Sequence, residues 1–197
     1  MADASWEQIY KLLEPAQLPW NAGGPDSDLA RLVKAGAIPP GPAFDIGTGP
    51  GHDAIFLAQN GFRVSAVDVS ALAVALAKTN AAAAGVSAID FQVADLLTLR
   101  PAPGSQAFVF DRGCFHFFSP DNRTAYASLV GSALKSGGLL FVKTFSDKEP
   151  PGVGPKHFTL QELQESFAGP FTVVEAGDSI FEGPAKAKAV YALFKKA

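Results

Sequence analysis

A glycine-rich segment at residues 44–53, FDIGTGPGHD, joins a short apolar run to a helical pattern. Gly47 and Gly49 permit a tight turn and let a ligand lie against bare backbone, and Gly51 lets the next helix begin close to a sheet. The segment could therefore cradle a small ligand between a strand and a helix. Taken alone, it could also be a glycine-rich turn that binds nothing.

A carboxylate follows the glycine segment at the spacing expected of a nucleoside site. Asp68 closes the apolar run RVSAVD roughly 20 residues on, where a strand-end acid can accept hydrogen bonds from both ribose hydroxyls. Such an acid is often only the cap of the next helix, but here Ser70 already offers that cap. The two features together predict a ligand that contains a nucleoside.

Acidic residues around the loop favour a cationic ligand over a dinucleotide. A dinucleotide fingerprint, G-x-G-x-x-G, aims a helix N-terminus at a pyrophosphate, whereas here Asp45 precedes the loop, Pro50 interrupts it and Asp53 enters the first helical turn. Carboxylates repel phosphates but suit the ammonium and sulfonium groups of S-adenosylmethionine. After the third predicted strand, Asp95 could bond the adenine amino group while Leu96 packs against the ring.

The elements that must position these residues alternate along the chain from about residue 43. The predicted strands are 43–46, 63–67, 89–93, 107–110 and 139–144, and the predicted helices are 53–59, 70–84, about 119–134 and about 159–169. Strands that alternate with helices pair in parallel through right-handed crossovers. We therefore expect an α/β fold with a Rossmann-like, doubly wound, mostly parallel sheet.

Two regions stand outside this alternation. Residues 1–42 contain two helical patterns and a Pro/Gly connector, and about 40 residues rarely hold a core alone, so we interpret them as an N-terminal helical cap. Residues 146–156 are rich in proline and glycine and form a loop long enough to cover a site. We expect a single domain over 1–197, with the cap at 1–42 and the Rossmann-like core at 43–197.

Four segments together resemble motifs of the class I S-adenosylmethionine-dependent methyltransferases: DIGTGPG at 45–51, VDVS at 67–70, AD at 94–95 and KSGGL at 135–139. The resemblance implies a seven-stranded sheet with a reversed last hairpin, for which 171–174 and 187–194 are candidates. It implies S-adenosylmethionine as cofactor and S-adenosylhomocysteine as product. The cofactor-binding residues that we predict are Trp20, Asp45, Gly47, Thr48, Gly49, Gly51, Asp68, Val69, Asp95, Leu96 and Asp111.

Within that superfamily, LPW at 18–20, FDRG at 110–113, FSD at 145–147 and GPKHF at 154–158 look like the thiopurine S-methyltransferase and tellurite-resistance branch. Two residues depart from that pattern. Thr48 stands where many relatives have cysteine, which matters little if backbone groups bind the ligand. Asn21 stands where they have an acid, which leaves the contact between cap and cofactor open.

The methyl acceptor should approach the end of the fourth strand, because ligands of open parallel sheets lie at the carboxyl ends of the strands near the topological switch point. That strand ends at Asp111, so Arg112, Cys114, Phe115 and His116 should border the methyl group. The transfer is an in-line displacement from a sulfonium and requires no metal. Its main demand is a nucleophile held roughly 3 to 3.5 Å from the methyl group, away from water.

Each candidate at this strand end has a structural alternative. Arg112 could orient an anionic or polar acceptor, or form a salt bridge with Asp111 or Asp121. His116 could take a proton from the acceptor, since its ordinary pKa lies near 6.5, or be a structural histidine. Cys114 is expected to fill space beside the site. We predict Arg112 and His116 as the catalytic residues. The predicted acceptor is a small molecule such as a thiol, selenium or tellurium compound, and a thiol or selenol would need little base catalysis.

Composition narrows the remaining classes. Of 197 residues, 48% are apolar and 18% charged, the formal charge is −3, and there are one cysteine and three histidines, so we expect no disulfide and no metal site. The sequence shows no cluster of lysine and arginine, no long apolar run and no secretory signal, so we expect a cytoplasmic protein that binds neither nucleic acid nor membrane. We expect a monomer or a weak homodimer that acts on a small molecule. The alternatives are a non-catalytic adenosylmethionine-binding regulator and a nicotinamide-dependent oxidoreductase.

Overall fold

The computed structural model describes residues 3–150 and 155–197, so part of the loop predicted at 146–156 lies outside the described residues. The strands are β1 (Pro42–Ile46), β2 (Arg63–Asp68), β3 (Ile89–Val93), β4 (Gln106–Arg112), β5 (Leu134–Phe145), β6 (Phe171–Ile180) and β7 (Lys188–Lys196). The α-helices are α1 (Asp3–Leu12), α2 (Ser27–Lys34), α3 (His52–Gln59), α4 (Ala71–Ala83), α5 (Pro120–Ala133) and α6 (Leu160–Glu165).

The strands form one seven-stranded sheet in the order β3-β2-β1-β4-β5-β7-β6. The pairs β1/β2, β2/β3 and β4/β5 are parallel, and β7 is antiparallel to both β5 and β6. The predicted α/β fold with a mostly parallel sheet and a reversed last hairpin is therefore confirmed. In the described ranges, no helix has the length and apolar character that crossing a bilayer requires.

The chain separates into two compact units. The N-terminal unit contains the residues up to Leu99 together with Glu182–Ala185, and the C-terminal unit contains Arg100–Phe181 and Lys186–Ala197. The first unit therefore includes α1 to α4 and β1 to β3, and the second includes the remaining elements. Every predicted cofactor residue except Asp111 belongs to the N-terminal unit.

Side-chain caps lie at the starts of three of the predicted helices. Ser70 Oγ accepts a hydrogen bond from the Ala73 N–H and begins α4, Ser119 caps α5, and Thr159 and Glu162 form the reciprocal capping box of α6. Asp26 caps α2 by accepting from two backbone N–H groups of its first turn. These local hydrogen bonds satisfy donors that a helix start leaves unpaired, which is why the helix beginnings follow from sequence.

The start of β5 differs from the expectation. The predicted helix to about 134 and the predicted strand from 139 leave the KSGG segment at 135–138 between them, but α5 ends at Ala133 and the segment belongs to β5. The register with β4 shifts from Gln106↔Leu134 to Phe108↔Leu139, so extra residues of β5 bulge there. A Cβ on Gly138 would lie 2.9 Å from the Lys135 carbonyl oxygen, which explains the glycine in this bulge.

Candidate active site

The glycine loop, residues 47–51, follows β1 and folds back on the end of β2. Its three glycines all have positive φ, at 67° for Gly47, 51° for Gly49 and 80° for Gly51. The Thr48 N–H donates to the Val67 carbonyl at 2.9 Å, and the Gly51 N–H donates to the Thr48 carbonyl at 2.9 Å. The loop therefore has a defined shape within the N-terminal unit, and glycine is required for it.

Asp68 contacts this loop directly. Its Oδ2 accepts a hydrogen bond from the Gly49 N–H at 2.9 Å, and its Oδ1 accepts from the Ser70 N–H at 2.9 Å. Burial raises the pKa of the carboxyl above its ordinary value, and hydrogen bonds from the backbone of Ser70 and Gly49 oppose that rise. Because each carboxylate oxygen has a second lone pair, Asp68 can also accept from a ligand hydroxyl.

Asp45 and Thr48 form a pair inside the loop. Asp45 is 2% exposed, and its Oδ2 accepts a hydrogen bond from Thr48 Oγ1 at 2.6 Å. Thr48 therefore contributes its hydroxyl as well as its backbone. The three-residue spacing of an acid and a hydroxyl across a tight turn is the sequence signal that could have indicated this contact.

The N-terminal segment packs against the glycine loop. Trp20 Nε1 donates to Tyr10 Oη at 3.0 Å, and a Cβ built on Gly49 would lie 3.2 Å from that hydroxyl and 3.8 Å from Trp20 Nε1. Asn21 Oδ1 lies 2.9 Å from Nε2 of His52, the first residue of α3. Asn21 therefore joins the N-terminal segment to the start of α3.

Helix α1 is anchored to the start of α4. Glu7 Oε2 accepts hydrogen bonds from Ser70 Oγ at 2.6 Å and from the Leu72 N–H at 3.3 Å. The bond from Ser70 lowers the pKa of Glu7. Glu7 therefore adds an anionic acceptor at the N-terminus of α4, where the helix leaves backbone donors unpaired.

Asp95 and Leu96 lie beyond β3 in the same unit. Asp95 is exposed, and its Oδ1 accepts from the Leu97 N–H at 3.0 Å, which caps a short 3₁₀ turn at Leu96–Thr98. The Ala94 N–H donates to the Asp68 carbonyl at 3.0 Å, so this segment is joined to the end of β2. Val69 directly follows β2, and its backbone hydrogen bond to Asp68 lowers the pKa of that acid.

Asp111 organises the turn that follows β4 in the C-terminal unit. It is 0% exposed, Oδ1 accepts from the Cys114 and Phe115 N–H groups at 2.9 and 3.2 Å, and Oδ2 accepts from Tyr126 Oη at 2.8 Å. Burial raises its pKa to about 6. This carboxylate faces the protein interior and fixes the turn that contains Arg112.

Arg112 lies next to a group of half-exposed aromatic rings. Its guanidinium carbon is 5.2 Å from the centroid of the Phe181 ring. Phe181 in turn packs edge-on against Phe145 at 4.9 Å, and Phe117 is 48% exposed nearby against His116. This cluster offers flat apolar faces and one guanidinium.

His116 is a buried member of the same cluster. It is 3% exposed, its ring stacks on Phe145 at 4.9 Å, and its Nδ1 accepts a hydrogen bond from the Phe145 N–H at 3.2 Å. Burial lowers its pKa to about 3, and the charges of His157 and Arg123 lower it further. The neutral ring therefore has its lone pair directed at the backbone, which favours a positioning role, and the catalytic role remains a prediction.

Comparison with known proteins decides the enzyme class. Residues 43–138 match the model of a methyltransferase domain, and this range contains the glycine loop, Asp68, Asp95 and the 111–116 turn. The chain is an S-adenosylmethionine-dependent methyltransferase with the class I, Rossmann-like fold. The predicted enzyme class is therefore confirmed.

Three proteins illustrate what this methyltransferase is similar to. The 2-heptyl-1-hydroxyquinolin-4(1H)-one methyltransferase of Mycobacteroides abscessus is 29% identical over 174 residues, covering 85% of this chain and 76% of its own. The probable thiol methyltransferase 2 of Arabidopsis thaliana is 28% identical over 165 residues, covering 83% and 71%. A solved structure described as "Conversion of a Disulfide Bond into a Thioacetal Group during Echinomycin Biosynthesis" has a TM-score of 0.86 and 26% identity, covering 100% and 93%.

Several residues around the methyltransferase's glycine loop were missed by sequence reasoning. They are Glu7, Tyr10 and His52. Asp53, which the sequence analysis places in the first turn of the helix, accepts a hydrogen bond from the Asp26 N–H at 2.7 Å through Oδ1. The resemblance to the thiopurine and tellurite-resistance branch remains a prediction.

Proposed function

We propose that this methyltransferase holds S-adenosylmethionine on the glycine loop and Asp68, and methylates a small aromatic acceptor through a thiol or another atom already partly ionised at neutral pH. The contact between Asp68 and Gly49 carries the first part of the proposal, because it unites the two halves of the nucleoside motif. The acceptor class rests on the rings around Arg112.

The donor and acceptor groups of the N-terminal unit fit this cofactor, which supplies a methyl group on a positively charged sulfur when bound. Asp68 would accept from the ribose hydroxyls, Asp95 from the adenine amino group, and Leu96 would cover the adenine ring. The bare backbone of Gly47 and Gly49 leaves room for the amino acid portion, and the acidic loop attracts its ammonium group. The other residues that we assign to the cofactor are Trp20, Asp45, Thr48, Gly51 and Val69.

Asp111 is assigned a positioning role rather than contact with the cofactor. Its two oxygens accept hydrogen bonds from the Cys114 and Phe115 backbone and from Tyr126. By fixing the backbone on both sides of Arg112, it restricts where the guanidinium can reach. Placement of this kind is what an in-line transfer needs most from the protein.

The groups near Arg112 support a flat acceptor with an anionic or carbonyl substituent. Phe117, Phe145 and Phe181 present faces and edges on which an aromatic ring can pack. A guanidinium binds planar anionic groups through paired N–H donors. The names of the relatives, a hydroxyquinolinone methyltransferase and a thiol methyltransferase, agree with this chemistry.

The environment of His116 supports an acceptor that needs little help from a base. Its lone pair is directed at the Phe145 N–H, and its lowered pKa makes it a weak base. A thiol has a pKa of about 8.5, which leaves a few per cent ionised at neutral pH, so loss of its proton can precede transfer. Under this proposal, the side chain holds the Phe145 segment in place.

Isothermal titration calorimetry tests the cofactor assignment. We expect micromolar binding of S-adenosylhomocysteine and none of NAD. Binding of NAD without S-adenosylhomocysteine would contradict the proposal and favour an oxidoreductase.

A methyl-transfer screen tests the acceptor assignment. The panel contains aromatic thiols, alkyl thiols, selenite, tellurite, phenols and amines, with the wild type, Arg112→Ala and His116→Ala. We expect the aromatic thiols to be the best acceptors and Arg112→Ala to raise KM for those with a carboxylate. Cofactor binding with no methylated product would favour a regulatory module, and wild-type turnover in both variants would remove the 111–116 turn from the acceptor site.

A further inference from the structure

Tyr10 holds a donor that the proposed cofactor contacts do not use. Its Oη accepts a hydrogen bond from Trp20 Nε1 at 3.0 Å, and a phenol can donate one hydrogen bond as well as accept. Among the side chains of residues 6–150 and 155–197, none accepts the Tyr10 proton. The side chain is half-buried on α1, so this proton needs a partner when a ligand covers it and excludes water.

The hydroxyl lies over the glycine loop. A Cβ on Gly49 would be only 3.2 Å from Tyr10 Oη, so the bare Gly49 backbone is what permits this approach. The Gly49 N–H is bonded to Asp68, whose negative charge acts on Tyr10. Burial, with the Asp68 charge, raises the pKa of Tyr10 far above its ordinary value, so the phenol keeps its proton and acts as a donor.

The chemistry of the loop indicates which part of a ligand needs this donor. Asp45 and Asp68 are acceptors, which suit the ribose hydroxyls and the ammonium group of S-adenosylmethionine. The carboxylate of the same molecule is an anion beside these two acids, and it must be met by hydrogen-bond donors. The Tyr10 hydroxyl supplies a neutral donor at this point, and Trp20 orients it by filling one of its lone pairs.

We infer that Tyr10 donates a hydrogen bond to the carboxylate of the amino acid portion of the cofactor, with Trp20 fixing the direction of the hydroxyl. This inference rests on the proposed binding of S-adenosylmethionine at the glycine loop. It makes α1 part of the cofactor site, which the anchoring of Glu7 at the start of α4 supports. Under this inference, Tyr10 is a cofactor-binding residue that favours ligands with the amino acid carboxylate over analogues that lack it.

The test compares two ligands that differ only in the group at issue. S-adenosylhomocysteine and S-adenosyl-3-thiopropylamine, its analogue without the carboxyl group, are titrated into wild-type protein and Tyr10→Phe. Loss of one charge-assisted hydrogen bond should weaken S-adenosylhomocysteine binding roughly 10- to 100-fold in Tyr10→Phe. Affinity for the decarboxylated analogue should be the same in both proteins.

Three outcomes overturn the inference while leaving the proposed function separately testable. Wild-type affinity of Tyr10→Phe for S-adenosylhomocysteine would show that the hydroxyl binds nothing there, and equal weakening of both ligands would assign it to the ribose or to folding. Wild-type protein that binds neither ligand contradicts the proposed function itself, and the inference with it. Tyr191→Phe removes another tyrosine hydroxyl, which donates to Glu175 at 2.7 Å in the C-terminal unit, and should leave both affinities unchanged.

Discussion

The carboxylate of Asp68 accepts a hydrogen bond from the Gly49 backbone N–H at 2.9 Å, although 19 positions separate the two residues. The contact joins the end of β2 to the loop that follows β1, and it does so through the carboxylate that the nucleoside motif requires. The second oxygen of Asp68 is bonded to the Ser70 N–H. One side chain therefore fixes the loop and the start of α4, and also presents charge to a ligand.

Replacing Asp68 by asparagine should weaken cofactor binding. The amide retains one acceptor but turns the other oxygen into a donor that faces a backbone N–H, and it loses the charge that strengthens bonds from ribose hydroxyls. We expect S-adenosylhomocysteine to bind roughly 10- to 100-fold more weakly, as measured by calorimetry, and Asp68→Ala to be at least as weak. Asp90→Asn, at an exposed acid on β3, is the matched control.

The pH dependence of this affinity follows from the same carboxyl group. Because burial raises the pKa of Asp68 in the folded protein, the charged form is lost at a higher pH than for an ordinary aspartate. As the pH is lowered, the affinity of the wild type for S-adenosylhomocysteine should therefore begin to fall at a higher pH than an aspartate with the ordinary pKa of 3.8 would cause. Asp68→Asn has no such carboxyl group, so its affinity should not show this fall. If Asp68→Ala bound S-adenosylhomocysteine as tightly as the wild type does, the assignment of Asp68 to a nucleoside site would be wrong.

Gly51 should be one of the most sensitive positions for stability. Its φ is +80°, and a Cβ there would lie 2.8 Å from Ala77 Cβ on α4. The missing side chain of Gly51 therefore allows the start of α3 to lie close to α4. Gly85 has a similar φ of +70° with no atom within 4 Å of an added Cβ, so Gly85→Ala measures the backbone strain alone. We expect Gly51→Ala to lower the free energy of unfolding in urea by roughly 1 to 3 kcal/mol more than Gly85→Ala.

A compensating substitution makes this prediction sharper. Ala77→Gly removes the atom that an added Cβ on Gly51 would meet, so the double variant should recover part of the loss beyond the sum of the two single effects. Equal losses in Gly51→Ala and Gly85→Ala would contradict the close packing of α3 on α4.

The contacts that could be predicted from sequence are those that a repeating pattern places. Asp68 was assigned to the nucleoside site because it ends a strand roughly 20 residues after the glycine segment. The parallel pairing of β1 with β2 brings the ends of these two strands together. The helices that start at Ser70, Ser119 and Thr159 could be located from sequence because a cap is a local hydrogen bond.

The contacts that sequence did not provide depend on the path of irregular chain. Tyr10 reaches Trp20, and Asn21 reaches His52, only because residues 15–26 bring the cap back over the glycine loop. Asp111 shows the same limit at a strand end. The sequence shows that an acid ends the strand. It does not show that the backbone N–H groups of Cys114 and Phe115 donate hydrogen bonds to that acid.

His116 should remain neutral throughout the pH range in which the enzyme works. Burial and nearby positive charge lower its pKa to about 3, so the folded state disfavours protonation relative to the unfolded chain. Its contribution to stability is present above about pH 6.5 and is lost progressively as the pH falls toward about 3. We expect the His116 Hε1 resonance to show no titration between about pH 5 and about pH 8. A midpoint near 6.5 would instead mean that the ring reaches solvent, and would favour the general-base role.

Asp111 should give the opposite pH dependence. Burial raises its pKa from 3.8 to about 6, so the folded protein holds this proton more tightly than the unfolded chain does. The resulting stabilisation is full below about pH 4 and is lost as the pH rises through about 6, for a change of about 3 kcal/mol.

Asp111→Asn keeps an oxygen for the Cys114 and Phe115 N–H groups and has no proton to lose. The difference in unfolding free energy between wild type and Asp111→Asn should therefore shift by about 3 kcal/mol in favour of the variant between about pH 4 and about pH 7. Asp121→Asn, at an exposed acid in the first turn of α5, is the matched control. A pH-independent difference for Asp111→Asn would mean that the folded protein does not perturb the Asp111 carboxyl group.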